Sequence, residues 1–215
     1  MMKFKSPDSP SGLCGKPYHH GDLRRGLIAA AQAILEREGP QALSLRAVAR
    51  EAGVSPAAPY HHFKDKGDLM LAVAEQGFND LGEAMTRAVE AAAPLTPEQR
   101  VTEIGVAYVQ FAQEHPALYR VMYDCSRDLE TLPETVHEKE ESSYGMVKEA
   151  LLAAGRAEPG DEIGLELATI ASWCAAHGVA EMCKFKQFDP LKQVLGGEVA
   201  FYRAVLSRIG AFGRH

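Results

Sequence analysis

Apolar positions recur at helical spacing along nearly the whole 215-residue chain. Leu23, Leu27, Ala30, Ala31 and Ile34 share one face of a helix predicted over residues 20–38, which Gly39-Pro40 ends. Ser44 stands at the N-cap of a short second helix whose Leu45, Val48, Ala49 and Ala52 recur at i, i+3, i+4 and i+7. Gly53 falls where a helix end requires positive φ. Ser55 then caps a third helix with Pro56 at its first position, where a missing N–H costs nothing. Asp65-Lys66-Gly67-Asp68 resembles a capping box, and from it a long helix runs to residue 93, stopped by Pro94.

Beyond that point the pattern stays helical. Thr96-Pro97-Glu98 opens a helix to residue 114, and His115-Pro116 breaks it. A short helix covers residues 117–125, another begins at Pro133 and ends near Gly155, and two more span residues 161–184 and 191–209. No β-type alternation is long enough for a strand. The predicted architecture is all-α: a small three-helix head, residues 18–66, joined by one long helix to a larger body, residues 67–215. Residues 1–17, rich in Pro, Ser and Gly, read as a disordered leader.

Composition narrows the class. Hydrophobic residues make up 46% and charged residues 24%, as in soluble globular proteins. The longest apolar run, residues 167–176, is half the ~20 residues a bilayer needs, so no membrane contact is expected. The first residues lack a signal-peptide core, and Cys14, Cys125, Cys174 and Cys183 form no CxxC pair. A reducing cytoplasm is the expected location. The net charge of −6 divides unevenly: residues 1–70 hold ten Lys/Arg against seven Asp/Glu, and residues 71–215 hold thirteen against twenty-two. Only the N-terminal end suits a polyanion.

Residues 43–70, LSLRAVAREAGVSPAAPYHHFKDKGDLM, have the helix-turn-helix layout, in which the second helix enters the DNA major groove. Residues 44–50, Ala52-Gly53-Val54-Ser55, Tyr60, His62-Phe63, Lys66 and Leu69 resemble the signature of the TetR family of transcriptional regulators, over about residues 19–75. Trp173-Cys174-Ala175-Ala176-His177-Gly178 is similar to the W-x-x-x-H-G signature of the WHG class of TetR C-terminal domains, and the Tyr18-to-Arg24 opening is typical of it. The resemblance implies a sequence-specific DNA-binding regulator, a repressor released from its operator by a small-molecule effector. It implies phosphate contacts from Ser44, Tyr60, His62 and Lys66, all hydroxyl, imidazole or cationic groups. Base reading falls to Pro56, Ala57, Ala58 and His61, with Arg46 reaching from the preceding helix; alanine methyls suit thymine and Arg46 suits guanine. Two residues depart from the family: Gly67, where Glu is usual, and Pro59, where Leu or Val is usual. Pro59 would clash with the Ser55 carbonyl and delete the first hydrogen bond of an α-helix, unless a 3₁₀-like turn absorbs it.

For the body, the resemblance implies an effector pocket, with Tyr108, Phe111, Tyr119, Met122, Tyr123, Trp173 and His177 as its candidate lining. The same aromatics at helical spacing also read as plain core. Trp173 and His177 lie at i and i+4 on one face, with Gly178 a candidate for close helix packing. A homodimer through the last two helices would use Leu165, Ile170, Val179, Val194, Leu195, Val199, Tyr202, Val205 and Leu206. No cofactor or metal is expected: His19-His20 and His61-His62 are neighbours that point about 100° apart on a helix, and no Cys or carboxylate lies at ligand spacing. GxSxG, HExxH, Walker and GxGxxG motifs are absent, so no enzyme is expected. Two alternatives stay open: a redox sensor using Cys125, Cys174 or Cys183, and a DNA organiser that grips phosphate without reading sequence.

Overall fold

Helix α1 (His20–Glu38), α2 (Leu45–Glu51) and a single 3₁₀ turn (Ala58–His61) build the head. Helices α3 (Lys66–Ala91), α4 (Pro97–Glu114), α5 (Pro116–Arg127), α6 (Ser143–Ala153), α7 (Glu162–Met182), α8 (Asp189–Leu195) and α9 (Glu198–Ile209) build the body, with a second 3₁₀ turn (Lys186–Phe188) before α8. This computed structural model describes residues 20–127 and 143–209, and no strand occurs among them. The leader, Tyr18, His19 and the helix start at Pro133 lie outside the described residues.

The head follows its local chemistry closely. Leu27, Ile28, Ala31, Ile34 and Leu35 of α1 are buried with Leu43, Leu45, Val48 and Phe63. Ser44 Oγ accepts the Ala47 amide at 3.1 Å and caps α2. Gly53, at φ +67, ends that helix. Its N–H donates to the Arg50 carbonyl and the Val54 N–H to the Ala49 carbonyl, so two carbonyls of the last turn are satisfied. Arg37 then clasps the Glu51 carboxylate through both terminal nitrogens, at 3.1 and 2.9 Å, joining the ends of α1 and α2.

The recognition helix differs from expectation. Instead of an α-helix capped by Ser55 and starting at Pro56, the chain makes a 3₁₀ turn with Ala57 at its N-cap and no side-chain cap bond. The cause is Pro59, which has no N–H to give the Ser55 carbonyl. That carbonyl accepts the Ala58 N–H instead, at 3.0 Å, one residue earlier than in an α-helix. Pro59 is buried, and its own carbonyl accepts both the His62 and Phe63 amides.

Asp65 Oδ1 accepts the Asp68 amide at 2.9 Å and starts α3, which ends at Ala91 rather than residue 93. Thr96 and Gln99 form a reciprocal capping box at α4. Helix α4 is the hub of the body, touching α3, α5, α6, α7 and α9. Accordingly Ile104, Val106, Ala107, Tyr108, Val109, Phe111 and Ala112 are all buried. The final helix predicted over residues 191–209 is two helices, because Gly196 and Gly197 take φ +93 and +120, which no continuing helix can hold.

Helix α7 corrects two further expectations. By length and composition it could cross a membrane, whereas the short apolar run had suggested no such segment. In the fold it packs on α4, α6 and α9 and buries Thr169, Ala176, Val179 and Ala180. Its Ile163, Leu167, Ile170, Ala171, Cys174 and Gly178 form an exposed stripe at helical spacing. A Cβ on Gly178 would meet nothing within 4 Å, so this glycine does not serve packing inside the chain. Of the residues expected to pair two copies, Val179, Tyr202 and Leu206 are instead core, while Ile170, Val194, Leu195 and Val199 are exposed.

Candidate DNA-binding face and body cavity

The head brings its candidate contact residues to one solvent-facing segment. Ser44, Arg46, Pro56, Ala57, Tyr60, His61 and Lys66 are exposed, while Ala58 and His62 are half-buried. Tyr60 is 54% exposed, which removes it from the core, whereas Phe63 next to the turn is 2% exposed. The Arg24 guanidinium lies 5.6 Å from the Phe63 ring centre and covers it. Ser44 accepts its cap bond, so its hydroxyl hydrogen remains to donate. Lys66 Nζ donates to the Pro40 carbonyl at 2.8 Å, tying the start of α3 to the turn after α1. An ammonium has two further donors for a phosphate.

In the body, the residues expected to line a pocket separate into two groups. Tyr108, Tyr119, Tyr123, Trp173 and His177 converge from α4, α5 and α7 into one polar cluster. Trp173 Nε1–H donates to the Tyr123 hydroxyl at 3.0 Å, and that hydroxyl lies 2.6 Å from Tyr108. Tyr108 is 3.1 Å from Tyr119, whose hydroxyl is 2.5 Å from His177 Nδ1. Donor counting sends Trp173 to Tyr123 and Tyr123 to Tyr108, and His177 Nδ1, which lies 3.2 Å from the Tyr108 hydroxyl as well, then accepts from Tyr119 or from Tyr108. A proton on Nδ1 would leave one hydroxyl hydrogen with no acceptor in the cluster. Burial holds the Tyr108 and Tyr119 phenols far above the usual tyrosine range and pushes Tyr123 up to about 12. The other two expected residues, Phe111 and Met122, are plain core at 5% and 0% exposure.

Beside this cluster lies a cavity of about 460 Å³ between α4, α6, α7 and α9. Tyr108 and Trp173 form part of its wall; Phe111, Tyr119, Met122, Tyr123 and His177 do not. Much of the remaining wall comes from residues the sequence did not single out, Val101, Ile104, Val147, Leu151 and Ala168, with Gln99, Thr102, Arg156 and Ser172 as polar members, and from Leu206, which was expected in a dimer interface instead. Small and aliphatic residues carry no individual signal in a sequence. Only the position of α4 between its neighbours makes them a wall.

Among the described residues no group of His, Cys, Asp and Glu could hold a metal ion. Cys183 is buried, donates to the Ala180 carbonyl, and burial raises its thiol, the opposite of a reactive thiolate. Cys174 is exposed on the α7 stripe. Cys14 and the Cys125 side chain lie outside the described residues.

Residues 27–73 match the model described as "Bacterial regulatory proteins, tetR family", and residues 101–206 match "Tetracyclin repressor-like, C-terminal domain". The chain belongs to the tetR family. Its two matched segments are the family's N-terminal helix-turn-helix region and its helical C-terminal domain. The HTH-type transcriptional regulator BetI of Brucella canis is 35% identical over 103 residues, 46% of this chain and 51% of that protein. The chain thus spans about half the length of the curated relatives it matches. A protein of unknown function from Rhodococcus sp. RHA1 is 34% identical, with a TM-score of 0.67 over 93% of this chain and 100% of that one. The transcriptional regulator FadR from Bacillus subtilis, in complex with stearoyl-CoA, has a similar fold at 15% identity, with a TM-score of 0.61 over 89% of this chain and 99% of that one.

Proposed function

We propose that this chain is a cytoplasmic repressor that binds one operator as a homodimer and leaves it when a small molecule fills the α4–α6–α7–α9 cavity. The observation that carries the DNA half is Tyr60, a large ring half in solvent on the same segment as the solvent-reaching Ser44 and Lys66, in the basic N-terminal part of an acidic chain. Ser44, Tyr60, His62 and Lys66 hold phosphates, and Arg46, Pro56, Ala57, Ala58 and His61 meet the bases. The reading includes no cofactor and no catalytic step.

Dimerisation is supported by the exposed α7 stripe and by Leu191, Val194, Leu195 and Val199 near it in sequence on α8 and α9. Ala171, Cys174 and Gly178 are small enough for a second α7 to approach closely. A dimer presents two heads to half-sites about 34–36 Å apart, or a multiple of that. A chain that stays monomeric at micromolar concentration sinks this part.

Release is supported by what connects the cavity to the head. Tyr108 and Trp173 touch both the cavity and the hydroxyl chain, and Tyr119 and Tyr123 lie on α5. Helix α5 packs along α3, and its Leu118 amide donates to Glu36 of α1 at 3.0 Å. A ligand that prefers one arrangement of these helices needs a coupling of only about 1–3 kcal/mol to regulate binding. FadR's complex with stearoyl-CoA supports a ligand-binding role for the fold. The test is to select the preferred duplex from a random pool and then titrate ligands against the complex. Equal affinity for selected and random duplexes would make the chain a DNA organiser instead, because specific binders gain ~10³-fold or more.

A further inference from the structure

The proposed effector cavity has a shape and a charge that limit its ligand. Its wall follows α4 from Glu98 to Tyr108, a rise of about 15 Å at 1.5 Å per residue. Most of that length is aliphatic, from Val101 and Ile104 on α4 to Val147 and Leu151 on α6. A compact polar metabolite would leave these surfaces wet. An elongated apolar body would cover them.

The cation in the lining is Arg156, and the fold holds it there. It follows Gly155, whose φ of +64 turns the chain back at the end of α6. The Arg156 amide then donates to the Leu151 carbonyl at 3.0 Å, and Leu151 is itself part of the wall. This closing turn fixes the arginine backbone against the cavity. Glu98, the acid in the lining, is already engaged in a contact of its own. Arg156 makes no ion pair among the described residues, so its planar fork is available for a carboxylate.

Resting on the effector reading above, we propose that the cavity takes an elongated aliphatic carboxylate, with the chain along α4 towards Tyr108 and the carboxylate on Arg156. Trp173, the only tryptophan in the sequence, lines the cavity and reports occupancy directly by its fluorescence. The probes are dodecanoate and dodecan-1-ol, added below their aggregation limits to the full chain. Dodecanoate should change the Trp173 emission saturably with one site per chain, and dodecan-1-ol should bind roughly tenfold or more weakly, as expected for one charged hydrogen-bonded contact. Arg156→Gln should remove that preference by weakening the acid and leaving the alcohol unchanged. Ala168→Phe, which fills the wall between α4 and α7, should abolish both responses.

Equal binding of acid and alcohol, no saturable response to the acid, or an unchanged acid affinity in Arg156→Gln overturns the proposal. Unchanged binding in a folded Ala168→Phe chain places the ligand elsewhere and also overturns it. If Ala168→Phe does not fold, the exchange at Arg156, on a partly exposed side chain, decides. Saturation at Trp173 with unaltered operator affinity supports the carboxylate site while sinking the release reading.

Discussion

The head and the body dispose their polar groups in opposite ways. In the head, hydroxyl, imidazole and cationic side chains reach solvent from a contiguous segment, and their supports are short-range, such as Ser44 with the Ala47 amide and Asp65 with the Asp68 amide. In the body, three phenols, an indole and an imidazole turn inward, with partners as far apart in sequence as Tyr108 and His177. The head's chemistry serves an external polyanion and tolerates change at its surface. The body's chemistry is a closed set, in which each group exists to satisfy the next. One is a face and the other is a lock.

The largest effect expected from breaking this contrast lies underneath the head. Phe63 fills the space between α1 and the 3₁₀ turn and is covered by Arg24. Phe63→Ala should cost about 3–5 kcal/mol in urea unfolding, as core truncations of this size do. Specific DNA binding should be lost even where the chain stays folded. A cost below about 1 kcal/mol would mean that the turn is held by something other than this ring.

The lock should open with alkali. Because burial raises the folded values of Tyr108, Tyr119 and Tyr123 above the ordinary 10.0, the folded state keeps protons that the unfolded chain loses. Stability is therefore fully present below pH 10 and falls as pH rises beyond it. Tyr123, pushed up to about 12, alone accounts for a loss on the order of 2 kcal/mol by that pH. Denaturation midpoints at a series of alkaline pH values, followed by Trp173 fluorescence, measure it. A flat profile between pH 10 and 12 would mean that the cluster is open to water.

The same contrast governs what the sequence could reveal. Caps and breaks were legible at Ser44, Gly53, Asp65, Thr96 and Pro116, because each acts on amides within a few residues. Pro59 was legible as a conflict, and its resolution into a 3₁₀ turn follows from one missing N–H. The split at Gly196-Gly197 was legible too, in the glycine pair itself, but the apolar pattern that continues across it outweighed that signal. The cavity was not legible. Its candidate lining came from large side chains, most of which proved to bond to one another, while most of the apolar wall is alanine, valine, leucine and isoleucine, residues that look like ordinary core. Aromatic residues advertise burial, but a void is defined by the atoms that are missing from its centre. Arg156 lies just past a helix end, outside any apolar periodicity.

On the head's surface, Arg46→Ala should lower affinity for the selected operator by about 1–3 kcal/mol and relax the choice of base at one position. Competition titrations with single-base variants of that duplex read this out. Equal losses on operator and random DNA would show that Arg46 touches only phosphate, leaving the reading face with alanine methyls and His61.

The smallest energetic effect should come from Pro59→Leu, and it sharpens the contrast most. Leucine restores an N–H that can reach the Ser55 carbonyl, now used by Ala58. The segment should lengthen into an α-helix with a slowly exchanging amide at residue 59, and stability should change by no more than about 1 kcal/mol. Winding would relax from three residues per turn towards 3.6, which rotates Ala57, Ala58 and His61 relative to Arg46. The selected duplex should then change in sequence, while affinity for random DNA, set by Ser44, Tyr60 and Lys66, should stay the same. A fast-exchanging amide at residue 59 would show that the buried side chain, rather than the proline ring, imposes the turn. Base preference in this head would then be fixed by the packing beneath the recognition segment and not by the residue that interrupts it.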